Sequence, residues 1–236
     1  KDQSFRMIVR PDIWGSQARL RLSNALGTKP VTFDGAYAGL QMSGASLMPG
    51  SNKPVHFGGK TSVTVAPGES AWSDPVTLPF VKGSAADLAG RKLAVSFHVA
   101  GESGPMTWHA KALQTSYATA PGAGAHGTDE GEAAFPYSTA SWFFLDAVDM
   151  AVSAPTPVVV AFGDSITDGT CTTLDANDRW EDLVARRLAL QSPVAPPMNG
   201  TSFRASWEPA SAAAPNPAPI STPLTALMLI IAAAIS

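Results

Sequence analysis

Polar and apolar residues alternate through much of the first 150 positions, and this alternation limits the fold more than any other feature. Arg19 to Leu22 reads RLRL, Thr61 to Ala66 reads TSVTVA, and Lys92 to Val99 reads KLAVSFHV. A period of two puts one set of side chains on a core face and the other set on the opposite face, as a strand requires. Ser141 to Leu145 (SWFFL) is aromatic and strand-like. Turn-forming residues separate these runs at Met48–Pro54, Ala66–Ser70 and Gly101–Pro105. Many short strands with such turns predict a β-sandwich or jelly-roll module over residues 1–153.

The pattern then changes. Ala154 to Pro157 (APTP) reads as a linker, and Val158 to Phe162 is a continuous apolar run, as expected of a strand buried on both faces. GDSITDGT follows, and then a helix signal. Asp178 and Glu181 have the spacing of an N-terminal cap pair. Trp180, Leu183, Val184 and Leu188 recur at helical spacing, with Arg186 and Arg187 toward the C-terminal end, where positive charge suits the helix dipole. Residues 158–190 thus read as the first β–loop–α unit of an α/β domain. Residues 191–236 are expected to be an irregular tail rich in Pro, Ala and Ser, ending in a short apolar segment.

Composition narrows the function classes. A hydrophobic content of 45% supports a packed core, and a net charge of −3 with no basic run argues against nucleic acid as a partner. Cys171 is the one cysteine, so no intrachain disulfide can form, and no zinc-type Cys/His spacing occurs. Gly122-x-Gly124-x-x-Gly127 matches a dinucleotide fingerprint by letters, but neither a preceding strand nor a following helix is evident, so it reads as a flexible loop. The chain starts at Lys1, without a methionine, and reads as a processed form or a fragment. Its compartment stays open, secretion after removal of a signal peptide included. The apolar stretch Leu224–Ile235 falls short of the roughly 20 residues of an ordinary spanning helix, so no firm membrane association is expected. It reads as a cleaved anchor tail, a sticky helix or a translation artefact. With the small residues Ser211–Ala214 before it, it loosely resembles an anchor-attachment signal.

Ser165 is the candidate nucleophile. It lies just past the C-terminal end of the predicted buried strand, where open α/β sheets bind ligands. A serine needs a base for its proton and donors for the developing oxyanion. Its own amide, near a turn into a helix, is one such donor. For the tripeptide alone, an ordinary strand-to-helix turn is much the better explanation of Asp164 and Ser165, since both residue types favour turns and caps.

The longer context adds a resemblance. VVVAFGDSITDGT, followed by DRWEDLVARRL, resembles the first signature block of the GDSL lipase/esterase family, the SGNH hydrolases. RLRLSNALGTKPVTFDG, WSDPV, MTWHAKALQTSY and SWFFLDAVD are similar to the β-rich N-terminal region of one branch of that family. The resemblance implies an SGNH-type, flavodoxin-like hydrolase domain that here is only begun. It implies ester hydrolysis through an acyl-enzyme, with Ser165 as nucleophile and backbone oxyanion donor and Asp164 supporting the loop. It implies no metal or organic cofactor, and a small-molecule or carbohydrate ester as substrate. The oligomeric state is left open.

The chain departs from that family's pattern after the first block. No GxND follows Ser165, and DxxH occurs nowhere; DAND at Asp175–Asp178 is only superficially similar to the former. All four histidines, His56, His98, His109 and His126, precede Ser165. His98 and His109 read as packing or hydrogen-bonding residues, and His126 lies in the glycine loop. A histidine from the β-rich module remains an alternative base, because proximity rather than chain order defines a triad. Cys171 reads as a substitute for a small residue, and Asp168 as a loop-shaping or capping residue. The expectation is therefore a GDSL-type hydrolase with weak or no activity, its chain incomplete through truncation, a frameshift or a missed intron after about residue 190. An unfinished sheet would leave an open edge and uncovered apolar faces. The alternative is a non-catalytic carbohydrate-binding protein, with Trp14, Trp72 or Trp108 available to stack on sugar rings.

Overall fold

The computed structural model describes residues 1–82, 85–151, 161–191, 201–204 and 227–233. The first 151 residues are β-rich, as the alternation predicts. Strands β1 (Gln3–Val9), β2 (Gln17–Ser23), β3 (Val31–Ser43), β4 (Ser46–Leu47), β5 (Lys53–Pro54), β6 (Ser62–Val65) and β7 (Ser70–Trp72) follow in order. After them come β8 (Val76–Thr77), β9 (Leu93–Ala100), β10 (Trp108–His109), β11 (Ser116–Ala118), β12 (Tyr137–Thr139), β13 (Trp142–Phe143) and β14 (Leu145–Met150). One antiparallel sheet runs β12-β11-β1-β9-β3-β4, with β5 and β6 also paired to β3. A second runs β14-β2-β7, with β8 also on β2, and β10 pairs with β13.

The inward faces of both sheets enter one core. Met7, Phe33, Val95 and Phe97 come from the first sheet, and Leu20, Leu22, Val148 and Met150 from the second. The alternation in RLRL now has a physical meaning. Leu20 and Leu22 are buried in the core, while Arg19 and Arg21 pair across the strand with Asp149 and Asp146, each at 2.8 Å. The Arg19 guanidinium also lies 4.2 Å from the Trp72 ring centroid.

SWFFL is not one continuous strand. Phe144 takes a left-handed φ of 57°, which separates β13 from β14 and breaks the alternation. Trp142, Phe144 and Leu145 are consequently all buried. The Phe144 backbone is held at both ends: its N–H donates to the Thr107 carbonyl at 2.9 Å, and its carbonyl accepts from Ser23 N at 2.7 Å.

The outer face of the first sheet is covered by the 120–135 segment, which includes the glycine-rich loop. Arg6 of β1 is fully buried there. It donates to Ser96 Oγ at 2.8 Å and to the carbonyls of Ala45, Asp129 and Gly131, and its guanidinium lies 4.1 Å from the Phe135 ring centroid. Burial lowers its pKa to about 10, so it stays charged at neutral pH. The loop is thus fastened, where the sequence alone suggests flexibility. A Cβ at Gly127 would lie 2.2 Å from the Gly35 carbonyl oxygen, so the close approach of the two backbones requires glycine. The loop opens no helix, so the structural requirement of a dinucleotide fingerprint is not met.

Beyond the β-rich part, the predicted linker 154–157 and residues 158–160 lie outside the described residues. Strand β15 (Ala161–Gly163) leads into the Ser165 turn, and helix α1 spans Trp180–Gln191. The expected cap pair is displaced by one residue. Asp182, not Glu181, reaches back to the Arg179 N–H at 3.1 Å, and the Arg179 carbonyl accepts the first helical bond from Leu183 N. Arg179 is therefore the N-cap. Asp178 instead accepts from Thr173 N at 3.1 Å. Arg186 also departs from the dipole reading: its guanidinium turns back to the carbonyls of Ala176 and Asn177.

Two short strands, β16 (Thr201–Arg204) and β17 (Leu227–Ala233), lie in the segment expected to be an irregular tail. β17 is the centre of a parallel sheet ordered β15-β17-β16, with Ala161 opposite Ile231 and Thr201 opposite Leu227. The C-terminal apolar stretch is thus a strand rather than a helix over these residues. A parallel strand between two neighbours is expected to be a continuous apolar run, and LMLIIAA is one. Among the described residues no helix is long and apolar enough to cross a membrane.

Candidate functional site around Ser165

The turn after β15 is held by a compact set of bonds. Asp164 Oδ1 accepts from Ile166 N at 2.9 Å, an aspartate bonding its own backbone two residues on. Asp168 N donates to the Asp164 carbonyl at 3.0 Å, and Thr170 N to the Ser165 carbonyl at 2.8 Å. A Cβ at Gly163 would lie 2.1 Å from Thr167 Oγ1, so the residue that ends the strand has to be glycine for the turn to close. Ser165 is exposed at the tip, and no hydrogen bond among the described residues engages its hydroxyl or its amide. Phe162 and Ile166 flank it and are 82% and 76% exposed.

The turn is fastened to the β-rich module through Asp168. His109 of β10 places Nε2 2.8 Å from the Asp168 carboxylate, and the pair is largely buried. Arg179 donates through Nε to the Asp168 carbonyl at 2.7 Å and through Nη2 to the Ala112 carbonyl at 2.8 Å. Asp175, seven residues after Asp168, accepts from the Thr115 N–H at 2.7 Å and the Thr115 hydroxyl at 2.6 Å. On the other side, Arg10 Nη2 reaches Asp182 Oδ1 at 3.0 Å and Asp12 at 3.3 Å. The residues after Ser165 therefore lie against the 109–115 segment and the end of β1.

None of the four histidines serves Ser165 as a hydrogen-bonded base. His98 lies between Asp34 at 2.6 Å and Asp2 at 3.0 Å, and His126 between Asp129 and the Ala123 carbonyl. His109 is taken up by Asp168, and its Nδ1 is buried without a partner. No hydrogen bond links the His56 ring to any described residue. Cys171 is exposed and free, with a left-handed φ of 74°. Glycine suits that backbone best, so a cysteine there carries some strain. Among the described residues no group of three or more His, Cys, Asp or Glu side chains is placed to hold a metal.

Helix α1 presents an unexpected face. Its apolar stripe stays outside, with Trp180, Leu183 and Leu188 each more than 40% exposed, while Arg179, Glu181 and Asp182 are buried. The polar first turn is what docks on Arg10 and the Ala112 carbonyl, through Asp182 and Arg179. Glu181 is 2% exposed, and no other described residue hydrogen-bonds its carboxylate oxygens. Burial raises its pKa to about 7, opposed only in part by its own backbone N–H and then by Arg179. In the sequence Glu181 signals only a cap.

Of the three tryptophans available for stacking on a ligand, Trp14 is buried against Phe80 and Trp72 is covered by Arg19. Trp108 is 49% exposed and stacks on Phe143, with the ring centroids 6.2 Å apart. Neither protein-family models nor curated proteins match the chain.

Proposed function

We propose that the chain carries the nucleophile block of a GDSL-type serine ester hydrolase. Residues 158–190 would open its SGNH-type α/β domain, and the two-sheet module before them would be a β-sandwich. The observation that carries this reading is the turn itself: a short parallel strand ends at an obligatory glycine, and a self-bonded aspartate follows. The next residue is a serine whose hydroxyl and amide have no hydrogen-bond partner among the described residues. In this reading Ser165 Oγ attacks the ester carbonyl, its amide donates to the oxyanion, and the alcohol leaves as an acyl-serine forms. The substrate is a small-molecule or carbohydrate ester, and no cofactor takes part.

The same geometry limits the rate. No histidine reaches Ser165 among the described residues, and a positioned general base is worth about 10²–10⁴-fold. Acylation by an activated ester is expected to be slow, and water has no base to help it release the acyl group. Incubation with p-nitrophenyl acetate followed by peptide mass mapping tests this. The expected result is an acetyl group on the peptide holding Ser165, absent in Ser165→Ala. Acetylation confined to lysines in both proteins would rule the reading out.

A non-catalytic carbohydrate-binding role is favoured by one observation, the exposed Trp108 on Phe143. Glycan binding lost in Trp108→Ala, with no acetyl group on Ser165, would select that role instead.

A further inference from the structure

Beside the point where Asp175 meets Thr115 lies a recess of about 380 Å³ between the β3–β4 hairpin, the start of β9 and β11. Its charged and polar lining includes Arg91, Lys92, Tyr117, Ser43, Gln114 and Asp175.

The donors and acceptors of this recess are unequally occupied. Asp175 is the carboxylate in the lining, and its two oxygens already accept from Gln114 Nε2, Thr115 N and Thr115 Oγ1. The Lys92 ammonium stands off at 3.8 Å from it, a loose ion pair that leaves its N–H groups available. Arg91 commits Nη2 to the Gln41 carbonyl at 3.0 Å, and the rest of its fork has no partner among the described residues. No hydrogen bond among the described residues engages the Tyr117 or Ser43 hydroxyls. Two cations thus meet one saturated carboxylate, and Arg10 adds positive charge near Lys92. Glu132 is close enough to raise the pKa of Tyr117, after burial and Asp175, but it does not line the recess. Burial lowers the pKa of Lys92, Asp175 opposes the shift, and Arg10 adds to it.

We propose that this recess is a binding site for a small polyhydroxylated anion. Its carboxylate or phosphate lies between Arg91 and Lys92, and its hydroxyls meet Tyr117 and Ser43. Arg offers a planar fork and Lys a point charge, a pairing suited to either anion. The volume suits one sugar-sized ring or chain and little more. The proposal stands apart from any chemistry at Ser165.

Calorimetric titration of the whole chain with gluconate, glucose 6-phosphate and uncharged glucose tests it. At least one of the two anions is expected to bind with a dissociation constant about tenfold or more below that of glucose, and more weakly as salt rises. Gluconate alone would identify a carboxylate ligand, and glucose 6-phosphate alone a phosphate ligand. Lys92→Gln and Arg91→Gln, checked for folding by circular dichroism, are each expected to weaken that binding about tenfold. Equal binding of glucose, no binding of either anion at millimolar concentration, or anion binding that survives both substitutions would overturn the proposal. Ser165→Ala is expected to bind as the unsubstituted chain does, so the result is independent of any acyl chemistry.

Discussion

His109 Nε2 lies 2.8 Å from the Asp168 carboxylate, and this contact ties the β-rich module to the turn that carries Ser165. The two residues are 59 positions apart. Arg179 closes the same joint from the helix side by bonding the Asp168 carbonyl. The turn is therefore shaped by its own backbone but located by the module before it.

Replacing His109 with alanine leaves a largely buried Asp168 carboxylate without its side-chain partner. The expected cost is about 1–3 kcal/mol, the range for stranding a buried polar group. Limited proteolysis should show new cleavage between residues 161 and 179, while the 1–151 part keeps its protection. Unchanged cleavage kinetics would mean that the joint contributes nothing to the position of the turn.

Glu181 makes stability depend on pH. Its folded pKa, about 7, is raised above the ordinary carboxylate value of 4.5, so the folded state holds a proton that the unfolded state has released between those values. Stability therefore falls as pH rises from about 4.5 to 7, by about 3 kcal/mol at most. Glu181→Gln removes this slope, and Glu181→Leu also removes the unpartnered oxygens. Both are expected to be more stable than the unsubstituted chain at pH 8 in denaturant melts. Parallel pH profiles for all three proteins would contradict the burial argument.

Arg6→Met is expected to loosen the glycine-rich loop. The substitution keeps much of the aliphatic bulk but abandons the carbonyls of Ala45, Asp129 and Gly131. A loss of about 3–5 kcal/mol is expected, as for breaking other buried charge networks. Amide exchange should accelerate across residues 122–132, and slow exchange there would show that Arg6 is not what holds the loop.

The strands of the first module were legible because one buried face imposes a period of two, as Leu20 and Leu22 show. The break at Phe144 was not, since a left-handed backbone at a phenylalanine leaves no trace in composition. The cap was misplaced by one residue because Asp178, Glu181 and Asp182 are all acids near a helix start, and only geometry selects Asp182. The Ser165 turn was legible from Gly163, Asp164 and their spacing. The His109–Asp168 contact and the recess beside Asp175 were not, because each is assembled from segments with no local signal in common. The apolar stripe of α1 faces outward, because the polar first turn finds its partners on Arg10 and the Ala112 carbonyl instead.

We propose that Ser165 is a nucleophile that no histidine serves as a hydrogen-bonded base among the described residues. Steady-state release of p-nitrophenol from p-nitrophenyl acetate, compared between the unsubstituted chain and Ser165→Ala, tests it most directly. At most one Ser165-dependent acylation per chain is expected, then identical slow rates for the two proteins. Sustained turnover by the unsubstituted chain that disappears in Ser165→Ala would contradict it.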